Sequence, residues 1–226
     1  MRMRWIVGLA MGALGLAGAA ASAQSPDRNA SASAAILPPG LRASMDRLAD
    51  SARALGIPSE PLYLKAAEGQ LKGADEARVL DVVRRLVGEL VTARRMLGPG
   101  SATGELVAGA NAIHARVDPE RLRELREASV ARHPGSSLVM PLVVVADLVS
   151  RRVTADVAIA SVRSLVTQGA PDQEFASLRA AVERDIAGGQ APDLAMRTRT
   201  DVTLKALGGA PLPGERHPAP RQPTTP

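Results

Sequence analysis

Residues 73–100 read GADEARVLDVVRRLVGELVTARRMLGPG, and this stretch decides the fold. Between Asp75 and the stop at Gly98-Pro99-Gly100, apolar residues recur every three or four positions, which is the spacing of one face of an α-helix. The stripe consists of Val79, Val83, Leu86, Leu90, Ala93 and Leu97, and it is widened by Val82, Val87 and Val91. An apolar arc this wide predicts a long helix that contacts more than one neighbour.

The same helical spacing continues on both sides of this stretch. Further helices are predicted to begin at or near Leu41, Ser59, Thr103, Asp118, Ser137, Thr154, Asp172 and Pro192. The segment Ser137–Ser150 is ambiguous, because its valine-rich run at 142–145 also suits a buried strand. We favour a helix there, since no second convincing strand exists to pair with it. The sequence therefore predicts an all-α fold, an irregular array of short helical hairpins with about eight or nine helices and no convincing sheet.

Five of the predicted helix ends share a local pattern: Gly or Arg, then an apolar or small residue, then a capping residue or proline. The five instances are Gly56-Ile57-Pro58-Ser59, Gly73-Ala74-Asp75, Arg116-Val117-Asp118, Arg152-Val153-Thr154 and Gly169-Ala170-Pro171-Asp172. A residue in the left-handed conformation just after a helix, followed by one that packs back on it, explains the pattern. The spacing between instances varies, which indicates connected hairpins rather than a regular solenoid.

The N-terminal segment has the features of a secretory signal peptide. Two arginines precede an apolar run over residues 5–20, which is shorter than the roughly 20 residues that cross a bilayer. The sequence Ala21-Ser22-Ala23 fits the pattern that signal peptidase cleaves, so cleavage is predicted between Ala23 and Gln24. We expect an exported protein, periplasmic or extracellular, with no integral membrane segment after cleavage.

The rest of the chain divides by composition. Residues 24–39 are rich in Ala, Ser, Asn and Pro and are predicted to be a flexible linker. The helical domain is predicted at 40–207, and it can divide into two subdomains, 40–133 and 136–207. Residues 208–226 contain six prolines and almost no apolar residues, which predicts a disordered tail.

Composition also excludes several kinds of function. The chain has no cysteine, so it forms no disulfides even in an oxidising compartment. After cleavage it carries 26 basic and 23 acidic residues, which is a small excess of positive charge. Its aromatic residues are then Tyr63 and Phe175 alone, too few for stacking on bases. We expect no nucleic-acid partner.

No motif for catalysis or for metal binding is present in the sequence. The three histidines, His114, His133 and His217, have no ligand-like neighbours, and zinc-site, EF-hand and serine-nucleophile patterns are missing. We therefore predict no catalytic residues, no cofactor and no metal. The expected function is an exported, non-enzymatic helical module that binds a protein or another envelope component. The alternative is a cell-envelope hydrolase whose carboxylates converge only in three dimensions.

The helix predicted at 118–132 is the candidate partner-binding surface. Its narrow apolar stripe and alternating Glu and Arg residues suit a peripheral helix. The candidate residues are Arg121, Leu122, Arg123, Leu125 and Arg126. The competing interpretation is that this helix only covers the core. A shallow apolar groove between hairpins would favour binding, whereas a pocket lined by two or more carboxylates would favour the hydrolase.

The signal-peptide prediction can be tested by the intact mass of the protein purified from its native host. We expect a mature chain that begins at Gln24, because the small residues before it fit the peptidase site. A mass that retains residues 1–23, or recovery with membranes after a salt wash, would contradict cleavage and release.

Overall fold

The computed structural model describes residues 26–208, and this part of the chain consists of helices joined by short turns, with no strand. Ten helices are present over these residues: α1 Pro26–Ala35, α2 Pro39–Ala54, α3 Glu60–Leu71, α4 Glu76–Leu97, α5 Thr103–His114, α6 Pro119–Arg132, α7 Val139–Ser150, α8 Ala155–Gln168, α9 Asp172–Ala187 and α10 Pro192–Gly208. The all-α prediction is confirmed, and the ambiguous segment Ser137–Ser150 forms a helix, α7. The predicted signal peptide at 1–23 and the tail after Gly208 lie outside the described residues.

The described helices are arranged in two layers, and most contacts between them join a helix to the one two places along the chain. The even-numbered helices α2, α4, α6, α8 and α10 pack successively in one layer. The other layer contains α1 with α3, and α5 with α7 and α9. Helix α4 contacts α2, α3, α5 and α6, which agrees with the wide apolar arc of its sequence.

The predicted turn pattern has the same geometry at all five positions. The residues Gly56, Gly73, Arg116, Arg152 and Gly169 have φ values of 70–75°. In each case the N–H of the next residue donates to the carbonyl five residues earlier, as Ile57 does to Ala52 at 2.9 Å and Val153 to Leu148 at 3.1 Å. This is a Schellman turn, in which the apolar residue after the turn packs back on its own helix.

Helix α1 lies where the sequence composition predicted a flexible linker at 24–39. The alanine-rich segment is helical instead, because Ala30 and Ala34 are one helical turn apart and are both buried, as is Leu37 just after the helix. Alanine has the highest intrinsic helix propensity, so packing of one small face against α3 is enough to fix the segment.

The buried apolar side chains form two clusters that meet on α4 and α5. The first cluster joins α1–α3 to the N-terminal part of α4 and includes Leu41, Leu62 and Leu90. The second joins the C-terminal part of α4 to α6–α10 and includes Leu142 and Phe175. Because both helices contribute to both clusters, α4 and α5 connect the two halves of the molecule. The predicted division into subdomains 40–133 and 136–207 stays a prediction.

Two glycines allow the turn geometry to be tested with one kind of substitution. Gly73 has φ +70°, and a Cβ added there would meet no atom within 4 Å, so Gly73→Ala should cost only the left-handed backbone, about 1 kcal/mol of unfolding free energy. Gly88 lies inside α4 with equal space around it, so Gly88→Ala should stabilise the protein by about 0.5–1 kcal/mol. Chemical denaturation measures both, and changes of the same sign would contradict the assignment.

Candidate binding groove

The arginines of the predicted surface on α6 are engaged in ion pairs on the protein itself. Arg121 lies 2.9 Å from Glu124 and 3.3 Å from Asp156 on α8. Arg123 pairs with Glu120. The leucines of this predicted surface, Leu122 and Leu125, are fully buried in the core and do not lie on the surface. A binding role for the α6 arginines stays a prediction.

Arg126 has a structural partner that the sequence pattern does not reveal. Its guanidinium lies 2.7 Å from Glu105, a residue of α5 that is only 5 % exposed. The Glu105 carboxylate also accepts hydrogen bonds from the backbone N–H of Leu138 at 2.9 Å and of Ala102 at 3.2 Å. One buried carboxylate therefore joins α5 and α6 to the start of α7, and Arg126 compensates its charge.

A small cavity of about 80 Å³ lies near the end of α6 and contains residue types that hydrolases use. Ser136, His133 and Asp172 are among the residues that line it. The hydrogen bonds here join backbone atoms: His133 N–H donates to Ser129 O, and Ser136 N–H donates to His133 O. In the described part of the chain no hydrogen bond joins a serine hydroxyl to the His133 imidazole.

A pair of carboxylates converges between α7 and α9. Burial raises the pKa of the Glu183 carboxyl, and hydrogen bonding to Asp147 raises it further. The positive charge of Arg151, 3.0 Å from Glu183, opposes this rise, as does that of Arg179. Arg151 also lies 3.5 Å from Asp147. The two carboxylates are thus held between two guanidinium groups.

The described surface also carries a shallow apolar groove between α1 and α3, with a volume of about 520 Å³. Ala32, Ser33 and Ile36 line it on the side of α1, and Leu64, Ala67 and Leu71 line it on the side of α3. Leu64, Ala67 and Leu71 are three and four positions apart, so they form one stripe along α3. We call this site the α1–α3 groove.

Three large apolar side chains of the α1–α3 groove are exposed to solvent. Leu71 is 81 % exposed, Ile36 51 % and Leu64 48 %. Ala67, in contrast, is buried and lies in the floor of the groove. The groove therefore presents adjacent apolar groups that remain exposed in the part of the chain described by the structure.

The rim of the α1–α3 groove is charged. Glu68 and Lys72 line it, and Lys65 lies 2.9 Å from Glu68. Hydrogen bonds from Lys72 and Lys65 lower the pKa of the Glu68 carboxyl, so Glu68 is ionised at neutral pH. The two charged residues that line the groove, Glu68 and Lys72, thus pair with each other, and Lys65 forms a second ion pair with Glu68.

Sequence reasoning missed this groove because it treated residues 24–39 as a linker, which left α3 without a partner on that side. The available signal was the helical spacing of Ala30, Ala34 and Leu37, beside the stripe of Leu64 and Leu71 on α3.

Compared with known protein families, curated proteins and solved structures, the chain matches none. Among residues 26–208, no group of three or more His, Asp or Glu side chains is arranged to hold a metal ion. No helix in that range has both the length and the apolar character needed to span a membrane.

The carboxylate pair between α7 and α9 gives a pH-dependent prediction. Because the pKa of Glu183 is raised in the folded state, its contribution to stability is fully present below the pKa of an unfolded glutamate and is lost as pH rises through the raised value. Glu183→Gln removes this loss. The unfolding free energy of the variant minus that of the parent should therefore be more positive at pH 7 than at pH 4, by less than about 1 kcal/mol.

Asp185, also on α9, is the matched control because its shift has the opposite sign. A hydrogen bond from Arg199 lowers the pKa of Asp185, so its contribution is present above the usual aspartate pKa and is lost as pH falls through the lowered value. Asp185→Asn should therefore destabilise the protein at neutral pH, with a smaller effect in acid. Urea denaturation at several pH values measures the unfolding free energy of both variants. If the effects of the two substitutions changed with pH in the same direction, the opposite pKa shifts of Glu183 and Asp185 would be contradicted.

Proposed function

We propose that this protein is an exported, non-enzymatic helical module that binds a protein partner outside the cytoplasm through the α1–α3 groove. The observation that carries the proposal is the cluster of Ile36, Leu64 and Leu71, three exposed large apolar side chains in one concave site. Exposed apolar residues that occur singly are normal on protein surfaces, whereas adjacent ones in a groove are typical of interaction sites.

The energetic reason is the water that the groove would release on binding. Burying one fully exposed leucine or isoleucine side chain contributes on the order of 1.5–3 kcal/mol. Ile36 and Leu64 are already about half buried, so each would contribute about half of this amount and Leu71 most of it. Other exposed large apolar residues, including Leu55 and Leu194, lie outside this groove. They provide controls for the proposal.

Export is compatible with an intact groove. The proposed cleavage before Gln24 leaves all of α1, which begins at Pro26, in the mature chain. The protein would then act in the periplasm or outside the cell.

The hydrolase alternative would need the carboxylates Asp147 and Glu183 to act on a substrate. Both are already engaged by Arg151 and Arg179, and neither lines the α1–α3 groove or the small cavity near α6. The carboxylate pair is occupied by ion pairs, whereas the apolar side chains of the groove are exposed. This difference favours the binding proposal over the enzymatic one.

The proposal can be tested by replacing Leu71 with a photo-cross-linking amino acid in the native host. We expect a discrete protein adduct in the exported fraction, because the side chain at this position faces the groove. Mass spectrometry of the adduct should join position 71 to one segment of one partner.

The matched control places the same cross-linker at Leu194 on α10, which is 55 % exposed and distant from α1–α3 in the sequence. A second change, Ile36→Asp, should abolish the adduct at position 71 without changing the thermal midpoint. Equal labelling at positions 71 and 194, or an adduct that survives Ile36→Asp, would overturn the groove as the binding site.

A further inference from the structure

The small cavity near the end of α6 is a second site with its own chemistry. It lies where the last turn of α6 meets the start of α7 and the turn between α8 and α9. A water molecule needs at least about 10–15 Å³ of such a space, so a cavity of about 80 Å³ has room for roughly five to eight heavy atoms. Its walls include Ser129, Arg132, Leu138, Asp172 and Phe175, and we call it the α6 cavity.

Ser129 gives the α6 cavity a buried polar group. It lines the cavity and is only 3 % exposed. The hydroxyls of Ser164 and Thr167 on α8 donate to the carbonyl one turn earlier, as is common in helices. The Ser129 hydroxyl, in contrast, has no hydrogen-bond partner among the described residues. A buried hydroxyl without a partner is unfavourable, so this group indicates that a polar molecule occupies the cavity.

Two opposite charges line the same cavity without neutralising each other. Arg132 is the last residue of α6, and Asp172 is the first residue of α9. Over residues 26–208, neither side chain forms an ion pair or a side-chain hydrogen bond. Arg132 lies against the turn that precedes Asp172, since a Cβ added at Gly169 would come within 3.1 Å of Arg132 Nε. The cavity thus offers both a guanidinium and a carboxylate to one ligand.

The remaining wall of the α6 cavity is largely apolar. Phe175 lies one turn after Asp172 on α9, and it is 1 % exposed, as is Leu138. Pro141 and Val166 complete this wall and are also buried. A hydrocarbon group that packs here loses its contact with water at no polar cost. The site therefore suits a small molecule with two opposite charges and an apolar group.

We propose that the α6 cavity binds a free α-amino acid with a small apolar side chain. The carboxylate of the ligand pairs with Arg132 and accepts a hydrogen bond from Ser129, and its ammonium group pairs with Asp172. The side chain packs against Phe175 and Leu138. A peptide is excluded because its free ammonium and carboxylate are too far apart for one small cavity. The site lies on other helices than the α1–α3 groove and does not depend on the proposed function.

NMR titration of the full mature chain tests the class of ligand. L-Alanine should shift the amide signals of Gly169 and Phe175 in a saturable way, with a Kd of about 1 mM or lower. L-Lactate lacks the ammonium group and L-alaninamide lacks the carboxylate, although both are close to alanine in size. Each should bind at least about tenfold more weakly. L-Tryptophan keeps both charges but is too large for the cavity, so it should be equally weak.

Protein variants connect this binding to the two charges. Arg132→Gln and Asp172→Asn should each weaken L-alanine binding by about tenfold or more. The matched controls Arg95→Gln and Glu174→Gln should leave it unchanged. Arg95, like Arg132, is an exposed arginine in the last turn of its helix, and Glu174 shares the first turn of α9 with Asp172 without lining the cavity.

Ser129→Ala separates a role in binding from a structural one. It should weaken L-alanine binding by about three- to tenfold without lowering the thermal midpoint of the free protein, because the lost hydroxyl has no partner there. A lower midpoint with unchanged binding would show that the hydroxyl only stabilises the fold and would remove it from the site.

The other probes can each overturn the inference. If L-lactate bound as well as L-alanine, the cavity would be a site for simple anions, and equal binding of L-alaninamide would exclude a carboxylate on Arg132. Equal binding of L-tryptophan would contradict the small side chain. If L-alanine caused no saturable shift up to about 10 mM, Arg132 and Asp172 would only stabilise their own helix ends. None of these results bears on the cross-linking at position 71, so the two proposals fail separately.

Discussion

One constraint governs five of the connections between the described helices: the chain reverses through a residue in the left-handed backbone conformation, and the next residue returns its N–H to the helix that has just ended. At Gly56 and Arg152 alike, the residue after the turn, Ile57 or Val153, is buried and donates its N–H back into the helix that has just ended. The turn therefore anchors the end of one helix and aims the next in the same three residues. Within the described residues, the two layers are built mainly by contacts between a helix and the one two places along the chain.

Arginine occupies the left-handed position at Arg116 and Arg152, where glycine is the residue without steric cost. Their φ values match those of the glycines, so burial of Val117 and Val153 holds these turns in the strained conformation. At these two turns a buried valine, and not a glycine, stabilises the motif. The motif can be recognised in the sequence because the turn residue and the apolar or small residue after it are adjacent in the chain.

Much of the fold could be predicted from local sequence, because caps, turn residues and three-or-four spacing are local properties. The helix over Ser137–Ser150 needed one more argument, the lack of a pairing strand for its valine-rich centre. Helix α1 could not be predicted from composition, because an Ala- and Ser-rich segment becomes helical or flexible according to whether another element covers it. Here Ala30 and Ala34 pack toward α3, a contact between segments that are far apart in the chain.

The sites show the same division between local and tertiary information. The sequence gives the alternating charges of α6, but it does not show that Arg126 neutralises the buried Glu105 or that Leu122 belongs to the core. The stripe of Leu64 and Leu71 is visible in the sequence, yet a stripe of this kind is usually covered. Only the placement of α1 shows that the α1–α3 groove remains open beside this stripe.

Helix α1 packs mainly against α3, through a face that includes Ala30 and Ala34, and it forms one wall of the groove. Burial of alanine contributes much less free energy than burial of leucine, so local unfolding of α1 is expected to cost less than opening of α4, which is packed on four neighbours. Occupancy of the groove would then carry an entropic cost of ordering this wall and would also slow its opening. A bound ligand would therefore slow amide hydrogen exchange in residues 26–35 more strongly than exchange in α4. The stability of helix α1 would thus depend on whether the groove is occupied.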